Sequence, residues 1–153
     1  MTERSSTVRA AVAAVVVALA GGALLLCLGM SGGPSSGPAP IVWDEEVCAE
    51  CHMHVGDPRF AAQLRTQDDD VFNFDDPGCL FKYVERQHPR VAGVWFHHTR
   101  RDRWLDQNNV RFLTGQQTPM GYGLAAVDRG TRGAVDYRAA ARVVAARRPA
   151  GAP

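Results

Sequence analysis

The sequence predicts an α+β fold of two small sheet-plus-helix units, and three observations point to it. Val71-Phe72-Asn73-Phe74 and Val91 to His98 are rich in the β-branched and aromatic residues that favour strands. Between them Asp76-Pro77 is a helix start, because Asp accepts orphan backbone N–H groups and Pro at the first helical position loses no hydrogen bond. The stretch from about 118 to 147 then repeats, loosely, the strand-then-helix plan of the stretch from about 60 to 98.

Taken in order, Phe60 to Arg65 reads as a short strand or extended segment, and Asp68-Asp69-Asp70 as a turn into the strand at Val71. The helix from Pro77 to about Gln87 sets Leu80, Phe81 and Val84 on one side, with Cys79 and Tyr83 adjoining, and closes at His88-Pro89. Cys79, next to Leu80, reads as a buried structural thiol. Apolar residues at 104, 105, 110, 112 and 113 have a helical spacing, so Trp104 to Leu113 is expected to be a helix ending at Gly115. Gly121 to Val127 is an expected strand, and Val135 to Arg147 an Ala-rich helix.

The chain has 153 residues, 46% of them hydrophobic, enough for one modest domain once the first forty are set aside. A formal net charge of +1, with arginines dispersed among carboxylates, gives no reason to expect a nucleic-acid partner. Residues 10–30 carry no charge and follow Arg4 and Arg9. That run is nearer the roughly 20 residues that cross a bilayer than the about 7 to 15 of a signal-peptide core. It is expected to be a transmembrane anchor or signal segment behind a cytoplasmic stretch 1–9. The domain beyond it then lies at the cell membrane on the extracytoplasmic side. Leu26-Cys27 is a poor lipoprotein site, since the residue before a lipidated cysteine is usually small. Residues 31–40, Ser-Gly-Gly-Pro-Ser-Ser-Gly-Pro-Ala-Pro, are a flexible linker, 41–147 the folded domain, and 148–153 a disordered tail.

The chemistry concentrates in Cys48-Ala49-Glu50-Cys51-His52-Met53-His54, placed on a loop or strand end. Four fates are open to Cys48 and Cys51 outside the cytoplasm: a disulfide, a c-type haem, zinc or copper. No second Cys-x-x-Cys or His-x-x-x-His completes a tetrahedral zinc set, and adjacent His97 and His98 point to opposite faces of a strand. At most one of those two histidines is expected to face a site. Cys48-x-x-Cys51-His52 satisfies the haem-attachment pattern, with Met120 available as a distal ligand, but the strand formers of the middle of the chain do not suit a small helical cytochrome. Copper(I) best uses the thiolates and thioethers present, because soft ligands select it. Met53 lies two residues beyond Cys51, and Met120 stands alone between Pro119 and Gly121 on a tight turn.

With these residues in view, the chain resembles the NosL family, nitrous oxide reductase accessory proteins that act as extracytoplasmic copper(I) chaperones. The resemblance spans roughly Cys48 to Val127. It rests on an ordered set of short motifs: Cys48-x-x-Cys51-x-Met53, Phe74-Asp75-Asp76-Pro77-Gly78-Cys79-Leu80 running into Tyr83, Trp104-Leu105-Asp106, and Thr118-Pro119-Met120-Gly121 followed by Leu124-Ala125-Ala126. It implies a paired α+β fold related to organomercurial lyase, membrane attachment, and delivery of Cu(I) to apo nitrous oxide reductase or its membrane maturation complex. It also implies Met120 as the leading ligand, with Cys48, Cys51 and Met53 as a second group. The chain departs from the family pattern at His52 and in having no histidine after Met120, so an imidazole ligand would come from His52, His54, His97 or His98. The expectation is a non-catalytic, membrane-tethered copper(I) chaperone; the alternative is a membrane-anchored c-type cytochrome with haem at Cys48, Cys51 and His52.

Overall fold

A computed structural model describes residues 37–147. The apolar run 10–30, Cys27, most of the linker and the tail from 148 lie outside these residues. Among the described residues no helix is long and apolar enough to cross a membrane. After a 3-10 turn at Pro58–Phe60 come β1 (Ala62–Thr66), β2 (Val71–Phe74), α1 (Pro77–Gln87), β3 (Val91–His97), β4 (Trp104–Asp106), β5 (Val110–Leu113), β6 (Ala125–Asp128) and α2 (Tyr137–Ala145). Four strands form an antiparallel sheet in the order β2-β1-β3-β4, and β5 pairs with β6 in a second sheet. Two small sheets and two helices make this the α+β fold the residue patterns predict.

Each unit is joined by aromatic packing. Phe81 of α1, Phe96 of β3, Phe112 of β5 and Tyr137 of α2 meet at ring-centroid distances of 4.9 to 6.0 Å, so one cluster draws on both sheets and both helices. Edge-to-face and offset contacts at such distances contribute beyond the apolar area they bury. Around it Leu64, Leu80, Val94, Val110, Leu124 and Val144 are fully enclosed. β1 is buried along its whole length, as the strand between β2 and β3 under α1.

Several boundaries differ from the expected ones for identifiable reasons. Trp104 to Leu113 is no helix. Asp106 accepts the amides of Asn108 (2.8 Å) and Asn109 (3.3 Å) and takes a third bond from the Asn109 side chain (2.7 Å), turning the chain and separating β4 from β5. On each side burial alternates residue by residue, the period of a strand. The strand expected at Gly121 begins only at Ala125, because Gly121 and Gly123 have φ of +71° and +72° and make a turn. The last helix starts at Tyr137, capped by Asp136, whose side chain accepts the Ala139 amide; Val135 instead bridges to Phe112 in a two-bond pair. The 3-10 turn holds Pro58 to Phe60, so β1 starts at Ala62 rather than at Phe60.

A buried polar chain ties the start of the described segment to the first sheet. Ala39 exchanges two hydrogen bonds with the side-chain amide of Gln63, at 2.6 and 3.2 Å. Gln63 donates to Asn73 Oδ1, and Asn73 Nδ2 donates to Glu46, both at 2.7 Å. Every polar atom along this line finds a partner, as a buried amide requires.

Candidate metal centre

The segment from Asp44 to Val55 folds back on itself. Val55 N–H donates to Glu46 C=O (2.8 Å), Asp44 N–H to Val55 C=O (3.0 Å) and Cys48 N–H to Met53 C=O (2.8 Å), with Val47 and His54 bridged between them. At the tip, His52 N–H donates to Cys48 C=O (3.0 Å), a single α-turn that His52 completes with φ of +62°. This loop is fastened to β2 by Ala49 N–H on Asn73 C=O (2.9 Å), by the Asn73–Glu46 bond, and to the last turn of α1 by Arg86 on Glu50 (2.8 Å). The turn sets Cys48 fully buried and Cys51 half-buried.

The third sulfur comes from α1. Asp76 caps this helix by accepting Gly78 N–H (2.8 Å), Pro77 occupies its first position, and Cys79 follows in the first turn, fully buried. The sulfurs of Cys48, Cys51 and Cys79 all lie within 4.8 Å of one another. A thiolate-bound first-row ion sits about 2.3 Å from each sulfur, which puts the three sulfurs of a planar site about 4 Å apart. The triad therefore fits one ion with small side-chain adjustment. All three cysteines are free thiols.

Their protons are unequally held. The Cys79 thiol donates to the Cys48 sulfur, and the amides of Cys51, Asp75 and Glu50 also face it. Together they outweigh burial and push Cys48 down to about 5. Cys79 is pushed far up by that same hydrogen bond and by burial, and Cys51 is raised chiefly by burial. At neutral pH the cluster thus holds one thiolate, on Cys48, beside two thiols. The positive end of α1, where Cys79 sits, favours that negative charge.

Of the residues singled out in the sequence, the structure gathers Cys48 and Cys51 and adds Cys79, whose neighbour Leu80 predicts a buried structural thiol. Its place three residues after a capping Asp was the available signal. Met53 and Met120 are exposed, at 58% and 41%, and so are the rings of His52 and His54. Neither histidine is in the thiol group. Both methionines are connected to it by hydrogen bonds: Met53 C=O holds Cys48 N–H, and Met120 N–H donates to the Asp76 side chain (3.0 Å), whose backbone C=O accepts Cys79 N–H (2.9 Å).

His97 and His98 are elsewhere. Both are buried, where strand alternation alone would leave one outside, because β3 stops at His97 and the chain turns. His97 lies edge-on to Trp43 and Trp104 with Nε2 at 3.1 Å from Asp102, and His98 Nδ1 accepts Arg100 N–H at 3.0 Å. They line a cleft of about 420 Å³ together with Arg59, Arg100 and Arg101, and no cysteine or methionine borders it.

Comparison with known proteins gives one structural likeness. The chain is similar to the copper chaperone NosL from Shewanella denitrificans, at 16% sequence identity over 70% of this chain and 84% of that one, with a TM-score of 0.47. No family model and no curated protein matches the sequence.

Proposed function

We propose that this chain is a copper(I) carrier that holds its cargo on Cys48, Cys51 and Cys79. The convergence of three sulfurs from two separate elements carries this reading. Soft thiolates favour Cu(I), a three-sulfur set suits its low coordination, and the fourth protein ligand a structural zinc site normally uses is missing from the described group. The carrier is non-catalytic, and the ion leaves by ligand exchange with an acceptor. The apolar run 10–30 tethers the domain to the membrane on its extracytoplasmic side, and the ordered motifs of residues 48–126 support a cuproenzyme, nitrous oxide reductase or its maturation complex, as that acceptor. The haem alternative gains no observation: Cys48 would have to turn out of a fully buried thiol contact to reach a porphyrin vinyl group.

The test is competition for Cu(I) against a colorimetric chelator. Cys79→Ser is expected to weaken binding by at least tenfold, about 1.4 kcal/mol, as are Cys48→Ser and Cys51→Ser. Unchanged affinity in the Cys79 variant would remove the triad as the site, and a covalent haem on the protein expressed with haem-attachment machinery would end the carrier reading.

A further inference from the structure

We propose that Asp76 is a positioning residue that joins the Met120 turn to the thiol triad as one site, an inference that rests on the copper(I) reading above. A helix cap needs one acceptor oxygen, and Asp76 supplies it through Oδ1 to Gly78 N–H. Its second oxygen does something a cap does not require. Oδ2 accepts the Thr118 hydroxyl at 2.6 Å and Met120 N–H at 3.0 Å, contacts that bridge more than forty residues of chain. Thr118 Oγ, its proton given to Asp76, accepts Gly123 N–H at 3.1 Å, and Gly121 N–H closes the turn on Thr118 C=O at 3.0 Å. The ring of Tyr122 lies directly on Gly78, where a Cβ would come within 2.0 Å of it.

Asn would cap α1 equally well, but only a carboxylate has acceptors on both oxygens. Asp76 is completely enclosed, an arrangement that is costly for a carboxylate unless donors surround it. The donors it has found are the helix amide and groups of the Met120 turn. The result is an exposed thioether carried on the end of α1 that buries the Cys79 sulfur. Asp76 touches no cargo; it acts through Met120, which offers the ion a soft, solvent-facing ligand on its way to or from the buried thiols.

Two measurements on the full chain test this. The first needs no copper: the Met120 methyl signal in a methionine-methyl NMR spectrum, assigned with Met120→Leu, is expected to shift and sharpen in Asp76→Asn and in Thr118→Val, while that of Met53 stays in place. A Met120 signal unmoved in both variants would overturn the proposal. The second is a cycle of Asp76→Asn and Met120→Ala read by the rate of Cu(I) transfer to a chelator. Each single variant is expected to slow transfer by a similar factor of roughly 2 to 160, the range of coupling within one hydrogen-bond network, and the double variant to be no slower than Met120→Ala. An Asp76→Asn penalty that persists in the Met120→Ala background would mean a general structural role and would also overturn it. Should Asp76→Asn not fold, Thr118→Val, which leaves the cap untouched, takes its place in both measurements. Wild-type protein that takes up no Cu(I) sinks the carrier reading, whereas the NMR result alone still decides whether Asp76 positions Met120.

Discussion

Cys48 is the residue on which the site's electrostatics turn, since it holds a thiolate while fully buried. Helix-end potential, three amides and a donated thiol proton stabilise the charge that burial opposes. Its ultraviolet thiolate absorption is therefore expected to appear as pH rises through about 5, well below the ordinary thiol value of 9.0, and to be missing from Cys48→Ser. A difference between the two proteins that appears only in the alkaline range would contradict this. The sign for cargo binding follows: Cys51 and Cys79, both raised, must lose protons to become ligands, so affinity for Cu(I) should climb with pH across the neutral range. From sequence, Cys48 and Cys51 were legible through their spacing. Cys79 was not, because its neighbour Leu80 supports a core reading, and the proximity of residues 51 and 79 depends on how a loop docks on β2.

At the scale of elements, α1 was the most legible: Asp76-Pro77 marked its start and His88-Pro89 its end, and both bounds hold. Local capping chemistry speaks in the sequence itself. Trp104 to Leu113 misled because apolar residues on two short strands happened to fall at helical intervals, and the side-chain bonding of Asp106 that separates them is not a matter of hydrophobic spacing. Contact between α1 and the 118–123 turn was equally hidden, and it yields a sharp expectation. Gly78→Ala places a methyl within 2.3 Å of Tyr122 Cβ and 2.0 Å of its Cγ, atoms too near the backbone to swing aside. The variant should lose about 1–3 kcal/mol in denaturant unfolding, with Tyr122 displaced; stability equal to wild type would show that the turn is not docked this closely.

Across the described residues, the aromatic cluster of Phe81, Phe96, Phe112 and Tyr137 links the second sheet to the first, directly through Phe96 against Phe112 and also by way of the helices. Phe112→Ala should cost about 3–5 kcal/mol and still give a single cooperative transition, because the units share this core; two separate transitions would show that they fold independently. The fold class was readable from strand formers and helix starts, whereas the pairing order β2-β1-β3-β4 was not, since it is set by which hydrophobic faces meet and not by any local signal. One feature of the site reaches beyond binding. Cys48 and Cys51 precede β1, and Cys79 follows β2, so an ion gripped by all three sulfurs is a cross-link that staples shut the loop containing both strands. A staple of that kind resists unravelling, and ligand that binds only the folded chain raises its stability in proportion to the logarithm of its concentration. Loaded protein should consequently melt at a higher temperature than the metal-free form, and Cys79→Ser, which cuts the staple at the α1 side, should erase most of that gap in a calorimetric scan.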